Sequence, residues 1–412
     1  MKILIIGNGG REHAIGMKLK KDNPLHELYF AKGNGGTETI GSNISLASLD
    51  EIVNFAEQKK IDLTIVGSEA LLVEGIVDAF EQMNLKIFGP NKAAAMLEGD
   101  KAFAKEFMNE YGVRTAKHHS FTNVEHALAY SKDHSYPLVI KATGLAAGKG
   151  VFIVNNYEEA STTINDLLIH KLMGEAGNEI VIEEFLNGFE VSVLSVFNGN
   201  KIYPFISAKD HKKIFENEEG PNTGGMGAIA PNPLFTKEVE LDFEQNIMLP
   251  TLKGLINRNL IFSGVIFFGL MVVNNKCYLL EYNMRLGDPE TQTILPLLNT
   301  DLTEVIENAL NGKEIALDWK KAHACCVVLS SKGYPEKAET GKIIHGLNNS
   351  NINFAIAGAI KENDELVTSG GRVLNIIGTA DTLEAAIDKA YDAVGQVHFD
   401  GMYYRKDIGK IR

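Results

Sequence analysis

The 412 residues exceed what one ordinary hydrophobic core can organise, and a prior of about 150 residues per domain suggests roughly three domains. A formal net charge of −13 argues against a general binder of nucleic-acid phosphates, which needs a continuous basic surface, so any anionic ligand falls to local cations and backbone N–H groups. Cys277 and the adjacent Cys325 and Cys326 lack CxxC spacing, which excludes a disulfide framework or a cysteine zinc site and points to a reducing compartment.

Residues 2–6, "KILII", form an apolar run too short for a signal-peptide core, and no run in the chain nears the roughly 20 residues of a membrane span. A cytoplasmic protein is expected. The run ends at Gly7-Asn8-Gly9-Gly10, and "REHAIGMKLKK" follows with helical spacing, the opening of a βα unit. The alternation recurs in "ELYFA", the helical "LDEIVNFAEQKK", "DLTIVGSEA", the helical "VEGIVDAFEQM" and "KIFGP", which predicts a parallel sheet over about residues 1–90. The turn "GNGGREHA" departs from G-x-G-x-x-G. Glu12 takes the third glycine position, and Lys32 stands near where an acidic residue would hold a ribose, so the dinucleotide match is weak, while the turn can still bind a phosphate or sugar at the helix N-terminus.

Residues 91–131 read as mostly helical, with an interruption at "YGVRTAKHHSF". Strands resume in "PLVIKATG" and "GVFIV", with a helix expected from Tyr157 to about Met173 and further strands in "EIVIEEFL" and "FEVSVLSVF". Lys141 ends one strand, and small residues link it to the next. Such a loop lets N–H groups close over phosphates while Lys141 and Lys149 supply charge, although the spacing is not that of a Walker A loop. A plain hairpin with snorkelling lysines is the blander alternative. At 183–190 a strand-end connector offers Glu183, Glu184, Phe185 and Leu186 to a purine and Glu190 to a ribose, though an acidic β-turn explains it nearly as well.

"AKDHKKIFENEEGPNTGGMGAIAPNP" reads as a long loop carrying Asp210, His211, Lys212, Asn222 and a "TGGMG" core with Gly225 and Met226. Its glycines suit close approach of backbone to ligand, while His211 alone would be a surface histidine by default. "GVIFFGLMVV-NN-KCYLLEYN" predicts two strands around an Asn-Asn turn. Alternate residues of a strand share a face, so Glu281 and Asn283 project side by side with hard oxygens that suit Mg²⁺. Arg285 follows on the same face if the strand continues, placed for a carboxylate or phosphoryl oxygen. After residue 322, short strands and the amphipathic "DTLEAAIDKAYDAVGQV" read as a small α+β unit.

Strand-end Lys141, the Gly-rich loop, the acidic connector and the late carboxylate–Asn pair together resemble the ATP-grasp superfamily. Within it, "GNGGREHA", "IKATGLAAGKGV", "GPNTGGMGA", "RLGDPETQ" and "TSGGRVL", in this order, are similar to the phosphoribosylamine–glycine ligase family over essentially the whole chain. The resemblance implies α/β and α+β architecture: an N-terminal parallel α/β substrate domain over 1–100, an ATP-grasp domain over 101–322 with a mobile lobe at 142–195, and a C-terminal α+β domain over 323–412. It also implies ATP-dependent ligation of glycine to 5-phosphoribosylamine through a glycyl phosphate, in de novo purine synthesis, with ATP and Mg²⁺ (or Mn²⁺). The implied partners are those two small substrates, with no nucleic acid or membrane, and the chain is expected to be a monomer.

By the same resemblance, Lys101, Lys141 and Lys149 would contact ATP phosphates beneath the loop around Gly148. Glu183, Phe185 and Leu186 would face adenine, with Glu190 on the ribose. Glu281 and Asn283 would hold the metal, and Arg285 the glycine carboxylate. Gly9, Gly10, Glu69, Gly225, Met226 and Arg372 would bind substrate. Asp210 is the second catalytic candidate beside Arg285, but the acceptor of the amine proton stays open among Asp210, Asp288 and a phosphate oxygen. The family's Gly-Pro-Glu-Ala-Pro-Leu is "GSEALL" here, with Ser68 and Leu71 in place of both prolines, and Lys332 stands where a glycine is common. Two other readings are a nicotinamide-dependent oxidoreductase built on the front βα unit and an ATP-binding sensor without turnover.

Overall fold

The computed structural model describes residues 1–46, 48–146, 149–348 and 352–410. The apolar runs of the front segment form an all-parallel sheet. Lys2–Gly7 lies at its centre, flanked on one side by Glu27–Lys32 and Ser42–Ile44 and on the other by Leu63–Val66 and Ile87–Phe88. Helices on its faces leave these strands buried, as parallel pairing demands. Strand order reverses beside Lys2–Gly7, so the loops after Gly7 and Val66 open together at the carboxyl edge, where α/β sheets bind ligands.

Two four-stranded antiparallel sheets follow. The first runs in the order His118–Phe121, Ile180–Glu184, Leu138–Ala142, Val151–Val154, and packs the helices Val124–Lys132 and Tyr157–Leu168. The second is built from Ile202–Pro204, Phe189–Asn198, Ser263–Val273 and Lys276–Asn283. Asn274 and Asn275 both take positive φ (50° and 61°) at the predicted hairpin turn, a conformation that matches the twist of the flanking strands. A bulge at Leu280 shifts the register, so Tyr282 enters the core while Glu281 and Asn283 line the cleft between the sheets.

Two sequence expectations need correction. The helix from Tyr157 stops at Leu168 rather than near Met173, because Ile169 and His170 both donate to the Asn165 carbonyl and Lys171 turns the chain at φ 53°. The run expected as a loop over 208–233 holds short strands: Lys213–Phe215 pairs with Glu219–Asn222, while Lys209–Asp210 and Gly227–Ala230 join a sheet with His323–Ser330, Arg372–Ala380 and Phe354–Ile356. Backbone pairing with distant strands is what a local reading of glycine-rich sequence cannot show. One apolar cluster runs from Ile3 and Phe30 through Phe267 to Ile294 and Ala324, so the parallel sheet, the second antiparallel sheet and the segment after it share a core.

Candidate active site

A cleft of about 800 Å³ lies where these units converge. One end of it is walled by the apolar side chains of Val139, Val151, Ile153, Phe185, Leu186 and Met271. Phe185 and Ile153 are unusually exposed for apolar residues, at 38% and 45%, which leaves faces free for a planar ring. Glu190 lies at the same end, 2.7 Å from the Lys212 ammonium.

Three lysines meet the Glu183 end of the cleft. The Glu183 carboxylate is fully buried, 2.9 Å from Lys141 Nζ and 3.0 Å from Lys105 Nζ. Burial opposes its ionisation, but the two ammonium groups win and hold its pKa at about 2. Glu183 therefore positions lysines, and its carboxylate is not free to face adenine as the sequence suggested. Lys105 was missed by the sequence reading, although it lies four residues after Lys101 on the helix Lys101–Tyr111 and so shares its face. Burial pulls Lys105 down to about 8 against the pull of Glu183. Lys101 lines the cleft too, donating to the Gly144 carbonyl at 3.3 Å.

Beyond the lysines stand Glu281, Asn283 and Arg285. Among the described residues no side chain hydrogen-bonds or ion-pairs with the Glu281 carboxylate. Burial works against its charge, yet Lys212, Lys141 and Lys101 keep its pKa low. Asn283 Oδ1 accepts from Arg285 Nη2 at 3.2 Å and keeps a lone pair. No group of three His, Cys, Asp or Glu side chains suited to a metal occurs among the described residues. An ionised carboxylate beside an amide oxygen nonetheless fits a hard divalent cation that completes its shell with water and phosphate oxygens. Arg285 is gripped by Glu98 at 3.1 Å, another residue missed from sequence, and stands 3.8 Å from Glu69.

The front turn faces this centre. Glu12 explains its missing glycine: the carboxylate accepts from Gly9 N–H and Arg11 Nε, both at 2.7 Å, and occupies the space over Gly67 where any Cβ would fall 1.9 Å away. A carboxylate there repels a pyrophosphate, which counts against a dinucleotide. Asp288 binds three parts of the chain at once, accepting from Arg11 N–H at 3.2 Å and from Gln292 at 2.7 Å and pairing with Arg372 at 3.2 Å. Asp210 lies alongside, with one oxygen unpartnered, and burial together with nearby Glu290 raises its pKa well above the ordinary carboxylate value.

Gly9, Glu69, Arg372 and Asp210 thus come together on the cleft, with Lys101, Lys141, Glu190, Glu281, Asn283 and Arg285. Others do not. Gly10 is buried against protein, since a Cβ would lie 2.3 Å from Asn375 and 2.7 Å from Gln292. Met226 is fully buried in the C-terminal core, and Gly225 (φ 110°) is packed against Pro289 and Asp210, so Thr223 and Gly224 present this loop to the cleft instead. Lys149 is exposed and off the cleft wall. Gly148 lies outside the described residues.

The chain matches family models described as "Phosphoribosylglycinamide synthetase, N domain" over residues 1–98, "Phosphoribosylglycinamide synthetase, ATP-grasp (A) domain" over 99–291 and "Phosphoribosylglycinamide synthetase, C domain" over 324–411. A phosphoribosylamine–glycine ligase of Fusobacterium nucleatum subsp. nucleatum is 55% identical, covering 100% of this chain and 99% of its own. One from Clostridium acetobutylicum is 49% identical, covering all of both. The crystal structure of phosphoribosylamine–glycine ligase from Thermotoga maritima superposes with a TM-score of 0.89 at 34% identity, over 99% of this chain and 100% of that one.

Proposed function

This chain belongs to the phosphoribosylglycinamide synthetase family, and we infer that its cleft joins glycine to 5-phosphoribosylamine, with ATP cleaved to ADP and phosphate, in purine biosynthesis. The observation that supports the chemistry best is the convergence at Arg285. Its guanidinium touches Asn283 of the ATP-grasp domain and Glu98 of the N-terminal domain and approaches Glu69 of the latter, so both halves of the cleft meet at one anion clamp.

Adenine would lie between Phe185, Leu186 and Ile153, with the ribose at Glu190. Lys101 and Lys141 hold phosphates. Glu183 fixes the Lys141 ammonium, so less ordering remains to be done when ATP binds. Glu281 and Asn283 would hold magnesium or manganese, which supplies charge neutralisation at the phosphates. Arg285 holds the glycine carboxylate in line with the γ-phosphoryl group. A carboxylate oxygen takes that group, ADP leaves, and glycyl phosphate results. The phosphoribosylamine nitrogen, held between Gly9, Glu69 and Arg372, attacks the acyl carbon. The C–O bond to the phosphoryl group breaks, phosphate departs with the former carboxylate oxygen, and the amine proton passes to Asp210, which lines the cleft with one carboxylate oxygen unpartnered.

ADP release by the purified protein with MgATP, glycine and fresh phosphoribosylamine, each omitted in turn, tests the assignment. Release that requires both acceptor substrates is expected. Steady release without phosphoribosylamine, or none at all, would contradict it.

A further inference from the structure

The hairpin formed by Lys213–Phe215 and Glu219–Asn222 has its two roots in the cleft: Lys212 and Lys213 enter it, and Asn222, Thr223 and Gly224 leave it, all as lining residues. Its tip is exposed, and two consecutive residues there, Asn217 and Glu218, take positive φ (64° and 60°). Such a ribbon needs an anchor to hold its roots still.

The anchor comes from the far end of the chain. Arg405 is completely buried and donates to both oxygens of Asp407 (2.8 and 3.0 Å), to Glu218 Oε1 (2.7 Å) and to the Lys213 carbonyl (3.0 Å). Asp407 in turn accepts from Asn217 N–H at 2.9 Å, and Tyr403 donates to the Ile214 carbonyl at 3.0 Å. His211, adjacent to Lys212, is buried and accepts the Gly409 N–H at Nε2 (3.1 Å), which leaves Nδ1 to donate to Glu218 (3.1 Å).

We propose that Arg405, with Glu218, Asp407 and His211, is a positioning residue of the ligase site: it fixes the hairpin so that Lys212 and the Asn222–Gly224 loop hold their places on the cleft. Buried charge-assisted bonds of this kind fix geometry, and small misplacements near a reacting centre are costly in rate. The inference rests on the ligase reading.

Glu218→Gln is the variant of choice, because its side chain is half exposed, so the change removes a charge without opening a core. The expected result is a fall in kcat of about ten- to a hundredfold with the KM for MgATP within about twofold of the parent. Deuterium uptake over residues 211–225 should rise while uptake in the parallel sheet stays unchanged. An active parent whose variant keeps kcat within about twofold, or a variant in which the KM for MgATP rises while kcat and melting temperature fall with no selective change at 211–225, overturns the assignment. A parent without turnover overturns the ligase reading, and the assignment with it.

Discussion

At the scale of single residues, the centre is a set of charges that orient one another. Arg285 depends on Glu98, which also accepts the Met284 N–H at 2.6 Å and so couples the clamp to its own backbone. Glu98→Gln should therefore raise the KM for glycine about tenfold, near 1.4 kcal/mol, with the KM for ATP little changed; initial rates at varied glycine check it. Glu281→Gln should cost about 100-fold or more in kcat with far-UV circular dichroism unaltered, as expected for a group aimed at transition-state charge. Near-normal turnover would remove Glu281 from the metal site. Glu281 and Asn283 were legible in sequence because strand alternation puts polar groups on one face, whereas the strand ends at Asn283 and Arg285 reaches the cleft from the bend beyond it. Lys105 and Glu98 were not, since a charged residue on an amphipathic helix reads as a solvated face until tertiary packing buries it.

Elements decide which side of a residue meets ligand. In the front turn, sequence marks Gly9 and Gly10 alike, but the helix Gly10–Asp22 docks its first residue onto Gln292 and Asn375 and leaves only Gly9 toward the cleft. Gly10→Ala should overpack that junction by about 1–3 kcal/mol and lower the melting temperature, which differential scanning calorimetry would read. An unchanged transition would mean that the junction yields easily. Short strands buried in glycine-rich sequence, such as Gly227–Ala230, escaped the sequence for a related reason: their partners, Lys209–Asp210 and His323–Ser330, lie about 20 and 100 residues away. The parallel sheet was legible because each strand, turn and helix there repeats a local pattern.

Across the whole molecule, the N- and C-terminal parts are joined beside the front turn, by residues of the helix and the loop that flank it. Asn34 donates to the Ile356 carbonyl at 2.8 Å, and His13 Nδ1 accepts the Ile356 N–H at 2.8 Å. Burial lowers the His13 pKa to about 4, so the folded imidazole is neutral where an unfolded one would begin to protonate below about 6.5. The stabilisation it gives is fully present above 6.5 and is lost as pH falls from there toward 4, by up to roughly 1.4 kcal/mol per pH unit. Melting curves between pH 7.5 and 4.5 should accordingly decline more gently in His13→Asn than in the parent. Asn34 also donates to the Gly9 carbonyl, so the same junction holds the front turn at the cleft that Glu69 and Arg285 line, where the proposed reaction would bring an amine to an activated carboxylate. Glycine labelled with ¹⁸O in its carboxylate tests that convergence most directly. Turnover with MgATP and phosphoribosylamine should place one labelled oxygen in each phosphate released, whereas unlabelled phosphate would show that glycine was never phosphorylated and contradict the account.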